Sequence, residues 1–584
     1  MSKFFLMSKY LPYLIILVFL TLAFTLSEAV SAQNPYKKQT IYPHICSLIK
    51  KHINEAESLH QLTIRGKSLY TFSILETFYK RNNFQPVWVL NNTRLEQAQH
   101  LIDTIESAYL EGLTPEHYHL RTIKDLLKEV KETERWKKMQ NPETLVDLDL
   151  LLTDAFHLLS CHFSAGCVNP VTLKAEWFTM RGKVDTISIF EMALKENRIK
   201  ETLQSLLPPQ DSYAKLRQAL QVYRKIVLKG GWPVISEGSS LKTGVKDARI
   251  IDLKKRLIVS GYLPTDMGDP QDIFNTELES AVKKFQLLHG LDVDGIVGPK
   301  TLKALNVSAK KRTRQIELNL ERMRWTFRNL GKRYIIIVNI ADFTLDVIEN
   351  NQTILSMKVV VGKPFWHTPV FSEKMTYMVL NPSWNVPHSI AVEELIPKIK
   401  NDPDYLVKHN IKILKDWSKN AEEIDSNTID WSFLDAQSFR YRFRQESGPL
   451  NPLGRIKFMF PNEFGVYFHD TPSKGHFLKS VRSFSHGCIR LEKPIDLAEY
   501  VLKGAPNWTR EKILAEIQTG KEREVMLPEP INIHILYLTA WVDDDGALHF
   551  RDDIYGRDEH LDKSLREHPP RTLKEEIKLD SKYY

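Results

Sequence analysis

The sequence predicts a multidomain α+β protein in which helical domains precede a β-rich domain. The chain has 584 residues, and a single hydrophobic core stops growing at about 250–300 residues, so we expect several domains. Apolar residues recur at helical spacing between residues 45 and 240, whereas a strand-like period begins at Tyr334. The content of 42% hydrophobic and 26% charged residues excludes a disordered chain and a polytopic membrane protein.

The N-terminal segment has the pattern of an export signal. Two lysines precede an apolar run over residues 11–26, and Val30 and Ala32 supply the small residues of a signal-peptidase site. The run is shorter than the roughly 20 residues that span a bilayer. We therefore expect residues 1–32 to be a cleaved signal peptide, with a retained inner-membrane anchor as the alternative. The net charge of +8 fits work near an anionic polymer, and it fits an ordinary soluble protein equally well.

Residues 45–240 are predicted to form a helical scaffold domain. Their apolar residues are spaced three and four apart with charged residues outside, most clearly in residues 145–159. No acid, base and nucleophile are grouped in a short span of this region, so we expect it to be structural.

Four cysteines are too few for a disulfide framework in a chain of this length. Cys161 and Cys167 are close enough in sequence to form a disulfide, and two separate buried thiols are the alternative. Cys488 lies far from the other three and needs its own explanation.

A small helical module is predicted for residues 250–307. LKKRLIVSGYL is followed by ELESAVKKFQLLHGLDVDGIVGPKTLKALN, which gives two helices, a glycine-rich loop and a short final helix. Asp292, Asp294 and Gly295 lack the other positions of a calcium loop. The paired helices and the DGIVGPKTLKALN ending resemble the peptidoglycan-binding-like domain of the first type, which implies either glycan binding or a spacer role.

A β-rich domain is predicted for residues 333–560. MTYMVLNPSW, RIKFMF and GVYFHD are strand candidates, and DDDGAL predicts a hairpin turn near the end of the domain. Residues 388–448 interrupt the strands as a charged insertion, which we predict to be largely helical. An excursion of this length next to a functional site is typical of a lid. Residues 565–584 are charged and are predicted to be a tail.

The segment GVYFHDTPSKGHFLKSVRSFSHGCIRL contains the candidate catalytic residues. Because a cysteine attacks a carbonyl as its thiolate, it needs a base to take its proton and backbone N–H groups to bind the oxyanion. His469 follows a strand, Cys488 comes 19 residues later, and Gly487 allows the backbone to turn. Asp470 adjoins the histidine, and a backbone carbonyl is the alternative group for fixing the imidazole tautomer.

Two other interpretations use the same residues. His469, Asp470, His476, His486 and Cys488 are common metal-ligand types, but their spacing matches no common zinc pattern, so we expect no metal. A cysteine can also be a small hydrophobic residue of the core, and histidine neighbours alone do not exclude that.

The SHGCIR motif, with an upstream histidine after a strand, resembles the signature of the YkuD-type L,D-transpeptidase catalytic domain. VGKPFWHTPVF, NPSWNVPHSIAVEELIPKIKNDPDYL and AWVDDDGALHFRDDIYG resemble the large periplasmic Gram-negative members of this family. Those members join a helical scaffold, a peptidoglycan-binding-like module and a lidded catalytic domain in one polypeptide. The resemblance therefore implies this architecture for nearly the whole mature chain.

The resemblance implies a role for each residue of the motif. Cys488 would be the acylated nucleophile and His469 its general base, while the amides of Gly487 and Cys488 would contribute to an oxyanion hole. His486 would support the loop rather than take the proton. Arg490 would stabilise the thiolate or a substrate carboxylate, or would pin the loop by bidentate pairing.

Two aromatic residues are candidates for the walls of the substrate cleft. These are Tyr467 and Trp384, although aromatic residues of strands more often belong to the core than to a substrate platform.

The resemblance also implies acyl transfer between peptidoglycan stem peptides in the periplasm, in the service of cell-wall biogenesis and cell shape. Cys488 would attack the third residue of a tetrapeptide donor, release D-alanine and form a thioester, which the amine of a diaminopimelate acceptor would resolve to a 3→3 cross-link. Carbapenems would acylate the same cysteine, and no cofactor, metal or nucleic acid is implied.

Other acceptors would change the outcome of the same chemistry. Water would make the enzyme a carboxypeptidase, a D-amino acid would make it an exchanger, and a lipoprotein would make it an attachment enzyme. A non-catalytic peptidoglycan-binding protein is the alternative from another class.

Overall fold

The computed structural model describes residues 35–58, 60–135, 141–173, 177–178, 184–264, 271–326, 330, 334–418, 420–435 and 437–567. The predicted signal peptide and residues 568–584 of the predicted tail lie outside these residues. No described helix is both long and apolar enough to span a membrane.

The first part of the described chain is a helical domain with its own hydrophobic core. Its helices are α1 Pro35–Glu57, α2 Phe72–Arg81, α3 Asn92–Ser107, α4 Leu120–Arg135, α5 Pro142–Ala165, α6 Thr186–Glu196, α7 Ile199–Gln204 and α8 Asp211–Leu228. A short hairpin of β1 Thr63–Ile64 and β2 Lys67–Ser68 lies between α1 and α2.

Helix α5 passes through the centre of this domain and is buried on all sides. The sequence pattern predicted that its charged residues would face outward, which is wrong for its three aspartates. Asp149 accepts hydrogen bonds from the N–H groups of Val87 and Trp88, and Asp154 accepts from Thr71 and pairs with His119. These carboxylates are buried because they satisfy backbone amides of neighbouring segments.

A three-helix module and a long helix follow the helical domain. The module contains α9 Arg249–Val259, α10 Thr276–Leu288 and α11 Pro299–Leu305, which enclose a separate core. Helix α12, Ala309–Thr326, then packs against α8 and α5. The Arg256 guanidinium lies 3.6 Å from the ring centroid of Trp232, a cation–π contact that fixes the module to the preceding segment.

The C-terminal domain is built on a nine-stranded sheet within the described residues, in the order β13-β5-β14-β12-β11-β6-β15-β3-β4. The strands are β3 Tyr334–Asn339, β4 Thr344–Glu349, β5 Gln352–Gly362, β6 Phe371–Leu380, β11 Ile456–Met459, β12 Phe468–His469, β13 Ser483–Ser485, β14 Ile489–Leu491 and β15 Arg523–Leu536. The first part of β5 pairs with β4 and its last residues pair with β14, so the sheet closes on itself.

Helices and a hairpin complete this domain. Helices α16 Pro494–Val501 and α17 Arg510–Gln518 follow β14, and the predicted hairpin is formed by β16 Ala540–Val542 and β17 Leu548–Phe550. Helix α18, Arg557–Glu567, extends three residues into the stretch that we expected to be tail.

The insertion at 388–448 is only partly helical, so the prediction of a largely helical lid is wrong in this respect. Its helical part comprises α13 His388–Ile390, a π-helical turn at Ala391–Leu395, α14 Ile396–Asn401 and α15 Tyr405–Lys408. The rest contributes to a four-stranded sheet in the order β7-β10-β8-β9, formed by β7 Trp384–Asn385, β8 Ile411–Leu414, β9 Glu423–Ile424 and β10 Arg442–Gln445. A core of its own, around Ile399 and Phe443, holds the two parts together. We call this unit the cap.

Glu321 on α12 joins the helical domain to the rest of the chain. Its side chain is 1% exposed and pairs with Arg324 at 2.7 Å. It also accepts hydrogen bonds from the backbone N–H groups of Cys167 and Val168 and from the indole of Trp325. A buried carboxylate of this kind depends on all its partners, since each one left unpaired adds a desolvation cost.

We expect Glu321→Ala to lower the free energy of unfolding by about 3–5 kcal/mol, because it leaves a buried guanidinium and two amides without their acceptor. Denaturant titration followed by circular dichroism measures the change. Lys128→Ala, which removes an exposed ion pair of 3.9 Å with Glu132, is the matched control and should change stability by less than about 0.5 kcal/mol. Equal effects of the two substitutions would contradict the role given to Glu321.

Candidate active site

Parallel pairing of β12 and β14 brings the two ends of the SHGCIR segment together. Phe468 is in register with Ile489, and His469 with Arg490. Side chains alternate between the faces of a strand, so the buried Phe468 and Ile489 turn the neighbouring Cys488, His469 and Arg490 to the opposite face. His469 and Cys488, which are 19 residues apart in sequence, are thus brought together by the pairing of β12 with β14.

His469 stands in the middle of a row that crosses three strands. Arg490 is its neighbour on β14, and Lys457 is its antiparallel partner on β11. Neighbouring strands are about 4.8 Å apart, so both cations act on the imidazole. Burial, followed by the charge of Arg490, lowers the pKa of His469 to about 3, with Lys457 adding to the effect. The ring is therefore neutral at physiological pH.

A backbone carbonyl, rather than a carboxylate, sets the tautomer of His469. Its Nδ1–H donates to the carbonyl oxygen of Asp470 at 2.5 Å, and the backbone carbonyl of Pro452 is also hydrogen-bonded to the ring. The Asp470 carboxylate is turned away, since it accepts from the Arg455 N–H at 2.9 Å and pairs with Lys474 at 2.6 Å. Gly454 permits this approach because a Cβ on it would lie 2.4 Å from Asp470 Oδ2.

The Cys488 thiol is protonated in the free protein. Burial raises its pKa above that of an ordinary thiol. The backbone N–H and hydroxyl of Tyr467, together with the charges of Lys457 and Arg490, act in the opposite direction without reversing the shift. The sulfur lies 3.8 Å from the carbonyl oxygen of Gly465. The thiol of Cys488 and the imidazole of His469 are therefore both neutral in the free protein.

Tyr467 and Trp384 line the same cleft. The Tyr467 hydroxyl is hydrogen-bonded to both Cys488 and the side chain of Trp384, and burial raises its pKa well above the usual value. The Nζ of Lys457 lies 3.9 Å from the centroid of the Tyr467 ring. Tyr467 is therefore held as a neutral hydrogen-bond donor beside the sulfur.

The loop that carries Cys488 is fixed by two hydroxyl side chains. Ser485 Oγ donates to the Cys488 carbonyl at 2.6 Å and accepts from the Gly487 N–H at 3.2 Å. Thr368 Oγ1 donates to the Gly487 carbonyl at 2.8 Å. The Gly487 amide, which we expected to face an oxyanion, thus donates to Ser485 instead. Gly487 has a φ of 110°, a conformation that side chains rarely adopt.

His486 connects this loop to the cap. Its Nε2 donates to Glu394 Oε1 at 2.7 Å, and its ring lies 4.0 Å from the ring of Trp366. Glu394 belongs to the π-helical turn of the cap. His486 therefore links the loop of Cys488 to the cap.

The cleft has a volume of about 650 Å³ and lies between the cap and the closed sheet. The sheet side contributes Cys488, His469 and Arg490, and the cap contributes Glu394 and Lys398 among others. Such a volume is in the range of ligand-binding clefts.

The helical domain supports the rim of this cleft. The N–H of Phe178 donates to the Val370 carbonyl at 2.8 Å, and its ring lies 4.3 Å from that of Phe464, which lines the cleft.

A second cavity, of about 500 Å³, lies between the helical domain, α12 and α18. The buried Glu321 and Arg324 that line it pair with each other. We therefore interpret this cavity as a junction between domains.

The remaining candidates do not contribute to the cleft. The His476 ring packs on Phe484 at 4.7 Å, and no group of three or more His, Cys, Asp or Glu side chains in the described residues is arranged to hold a metal ion. Cys161 and Cys167 are not joined by a disulfide.

Sequence reasoning missed two residues of the cleft, Lys457 and Glu394. Lys457 sits in the RIKFMF strand, where alternation places it on the face opposite the buried Ile456 and Phe458. The alternation predicts that Lys457 points away from the core, but it does not predict that β11 lies beside the strand that carries His469. Glu394 lies in a helical stretch with other charged residues, and only the tertiary structure distinguishes it from them.

Because the Cys488 thiol is protonated in the free protein, its rate of alkylation should depend on pH. Since only the thiolate is alkylated, and the pKa of Cys488 is raised, the rate of its modification by iodoacetamide should increase about tenfold per pH unit and continue to rise beyond pH about 8.5. Intact-mass kinetics on a protein with Cys46, Cys161 and Cys167 replaced by serine measure this rate. A rate that is constant below pH 7 would instead indicate a thiolate–imidazolium pair.

Three family models match the chain in separate places. The scaffold domain matches residues 73–220, the model described as "Putative peptidoglycan binding domain" matches residues 246–305, and the L,D-transpeptidase catalytic domain, YkuD, matches residues 333–508. The last match contains the cap and all the cleft residues described above.

Two curated proteins are similar to parts of the chain. A protein of Haemophilus influenzae described as "Putative L,D-transpeptidase" is 34% identical over 251 residues, which are 43% of this chain and 49% of that protein. The chain thus spans about half the length of this relative. The N-acetylmuramoyl-L-alanine amidase CwlL of Bacillus licheniformis is 42% identical over 79 residues, which are 13% of this chain and 21% of that protein.

Among solved structures, the L,D-transpeptidase (Yku) from Stackebrandtia nassauensis is 13% identical, with 52% of this chain and 96% of that chain covered and a TM-score of 0.19. A superposition with so low a score supports no conclusion about the fold. The family models and the site geometry are the stronger findings. Residues 333–508 match the model of the YkuD L,D-transpeptidase catalytic domain, and they lie in one multidomain α+β chain with the matches to a scaffold domain and a peptidoglycan-binding domain.

Proposed function

We propose that the protein is a periplasmic cysteine acyltransferase that forms 3→3 cross-links between peptidoglycan stem peptides. The observation that carries the proposal is the placement of Cys488, directly before β14, and of the neutral His469, at the end of the parallel strand β12, so that both line one cleft. The peptidoglycan-binding match at residues 246–305 supports the choice of substrate.

In the first half-reaction, His469 Nε2 takes the proton of the Cys488 thiol as the sulfur attacks the carbonyl carbon of the third residue of a tetrapeptide stem. The C–N bond to the terminal D-alanine then breaks, His469 returns the proton to the leaving amine, and a thioester remains. A neutral imidazole is required at the start, which is the state that burial and the flanking cations favour.

In the second half-reaction, the side-chain amine of a diaminopimelate residue attacks the thioester. His469 accepts the proton of the amine and transfers it to the sulfur as the C–S bond breaks. A cap that excludes water favours the amine over hydrolysis.

Hydrogen-bond donors near the sulfur stabilise the oxyanion of both steps. We assign this role to the Tyr467 hydroxyl, which Trp384 orients, together with the Cys488 amide. The Gly487 amide contributes only after it has left Ser485 Oγ.

Incubation with a defined tetrapeptide muropeptide tests the proposal. We expect cross-linked dimers and released D-alanine from the unchanged protein, and neither product from Cys488→Ala, because no other group in the cleft can form the thioester. Chromatography with mass spectrometry identifies the products.

The same assay separates the alternatives. Free tripeptide without dimers would show that water is the acceptor and would contradict the cross-linking proposal. Turnover by Cys488→Ala would contradict the assignment of the nucleophile. Carbapenem acylation, seen as an increase in intact mass that is absent from Cys488→Ala, serves as a check that the cleft is folded.

A further inference from the structure

Two cations flank the thiol without a counter-ion. In the described part of the chain, neither Lys457 nor Arg490 lies within 4.0 Å of a carboxylate in an ion pair, and Arg490 Nε is buried without a hydrogen-bond partner. Both side chains are only partly accessible. Cations held away from water are usually paired, so an unpaired set in a cleft points to an anionic ligand.

Two carboxylates act on these cations without forming an ion pair with them. Glu522 influences Lys457, and its Oε2 accepts from the Ser383 N–H at 2.7 Å. Glu394 influences Arg490, and it accepts from His486 at 2.7 Å. Within the described residues, direct contact between either cation and a carboxylate is therefore left to a group that arrives with the substrate.

The thiol itself does not use this charge in the free protein. Burial keeps Cys488 protonated in spite of both cations. The partner that would neutralise them is thus an anion placed within a few ångströms of the carbon that the sulfur attacks.

We propose that Lys457 and Arg490 form a carboxylate clamp, which binds the α-carboxylate of the leaving amino acid and then the α-carboxylate of the acceptor amine. This inference rests on the proposed function. The terminal D-alanine of the donor carries a carboxylate on the carbon attached to the scissile nitrogen. The reacting amine of diaminopimelate also sits on a carbon that carries a carboxylate.

The clamp then serves both half-reactions: an amino acid leaves from it in the first and binds to it in the second. In the first, the C–N bond breaks and the clamp retains, then releases, an amino acid with a free amine. In the second, the clamp places the amine of an incoming α-amino acid at the thioester carbon, where a C–N bond forms and the C–S bond breaks. A clamp of this kind restricts the donor to the last bond of the stem and restricts the acceptor to amines with an adjacent carboxylate.

Exchange of the terminal residue with an added amino acid tests the clamp on the unchanged protein. The full chain is incubated with a tetrapeptide muropeptide and either D-methionine or D-methioninamide, which differ at the carboxylate. We expect kcat/KM for D-methionine to exceed that for the amide by about 10- to 100-fold, the worth of charge-assisted hydrogen bonds. Equal use of the acid and the amide would overturn the clamp while leaving the acyl transfer intact.

Substitutions then assign the effect to the two cations. Lys457→Met and Arg490→Met should each reduce the ratio of kcat/KM for the acid to kcat/KM for the amide by about tenfold or more, chiefly through KM for D-methionine. Lys457→Arg should restore most of the preference. Lys412→Met, which removes an exposed lysine of the cap paired with Glu423 at 2.9 Å, is the matched control and should behave like the unchanged protein.

The outcomes separate the clamp from the proposed function. If neither D-methionine nor D-methioninamide is incorporated and no stem peptide becomes attached to Cys488, both the proposed function and the clamp are contradicted. If a substituted protein does not fold, as judged by circular dichroism, the comparison of acid with amide in the unchanged protein decides the matter. An unaltered preference in folded Lys457→Met and Arg490→Met would overturn the assignment.

Discussion

The parallel pairing of β12 with β14 is the constraint on which the site depends. Each strand is short, yet the register of Phe468 with Ile489 fixes which face every neighbouring side chain occupies. A shift of one residue would turn Cys488 into the core and place Ile489 in the cleft. The closed sheet prevents such a shift, since β14 is also paired with β5, and β12 with β11.

The electrostatics of the cleft follow from this register. Arg490 and Lys457 stand on either side of His469, and burial together with their charge keeps the imidazole neutral. The same burial keeps the thiol protonated. The free site therefore holds a neutral imidazole and a neutral thiol beside two cations that form no ion pair in the described part of the chain, and under the proposed function an anionic peptide would pair with them as it displaces water. The cap carries Glu394 to His486, so the cap and the loop of Cys488 are connected.

Much of this architecture could be predicted from sequence because its signals are local. The change from helical to strand-like periodicity separates the helical domains from the sheet, and GVYFHD identifies β12, one of the two paired strands. The errors have a common cause in tertiary structure. Asp149 is buried because distant amides of residues 87 and 88 need an acceptor. The cap contains a sheet in which β10 pairs with β8 and also with β7, and β7 lies outside residues 388–448, the bounds that we predicted for the insertion. Lys457 could not be placed beside His469 without knowing the strand order.

The central claim is that Cys488 carries the donor peptide as a thioester. Rapid acid quenching of the protein with a tetrapeptide muropeptide, followed by intact-mass measurement and peptide mapping, tests this directly. The account predicts an added mass equal to the tripeptide-bearing acyl group, located on the peptide that contains Cys488 and removed by hydroxylamine. Release of D-alanine without any adduct on that peptide, or with an adduct at another residue, would contradict it.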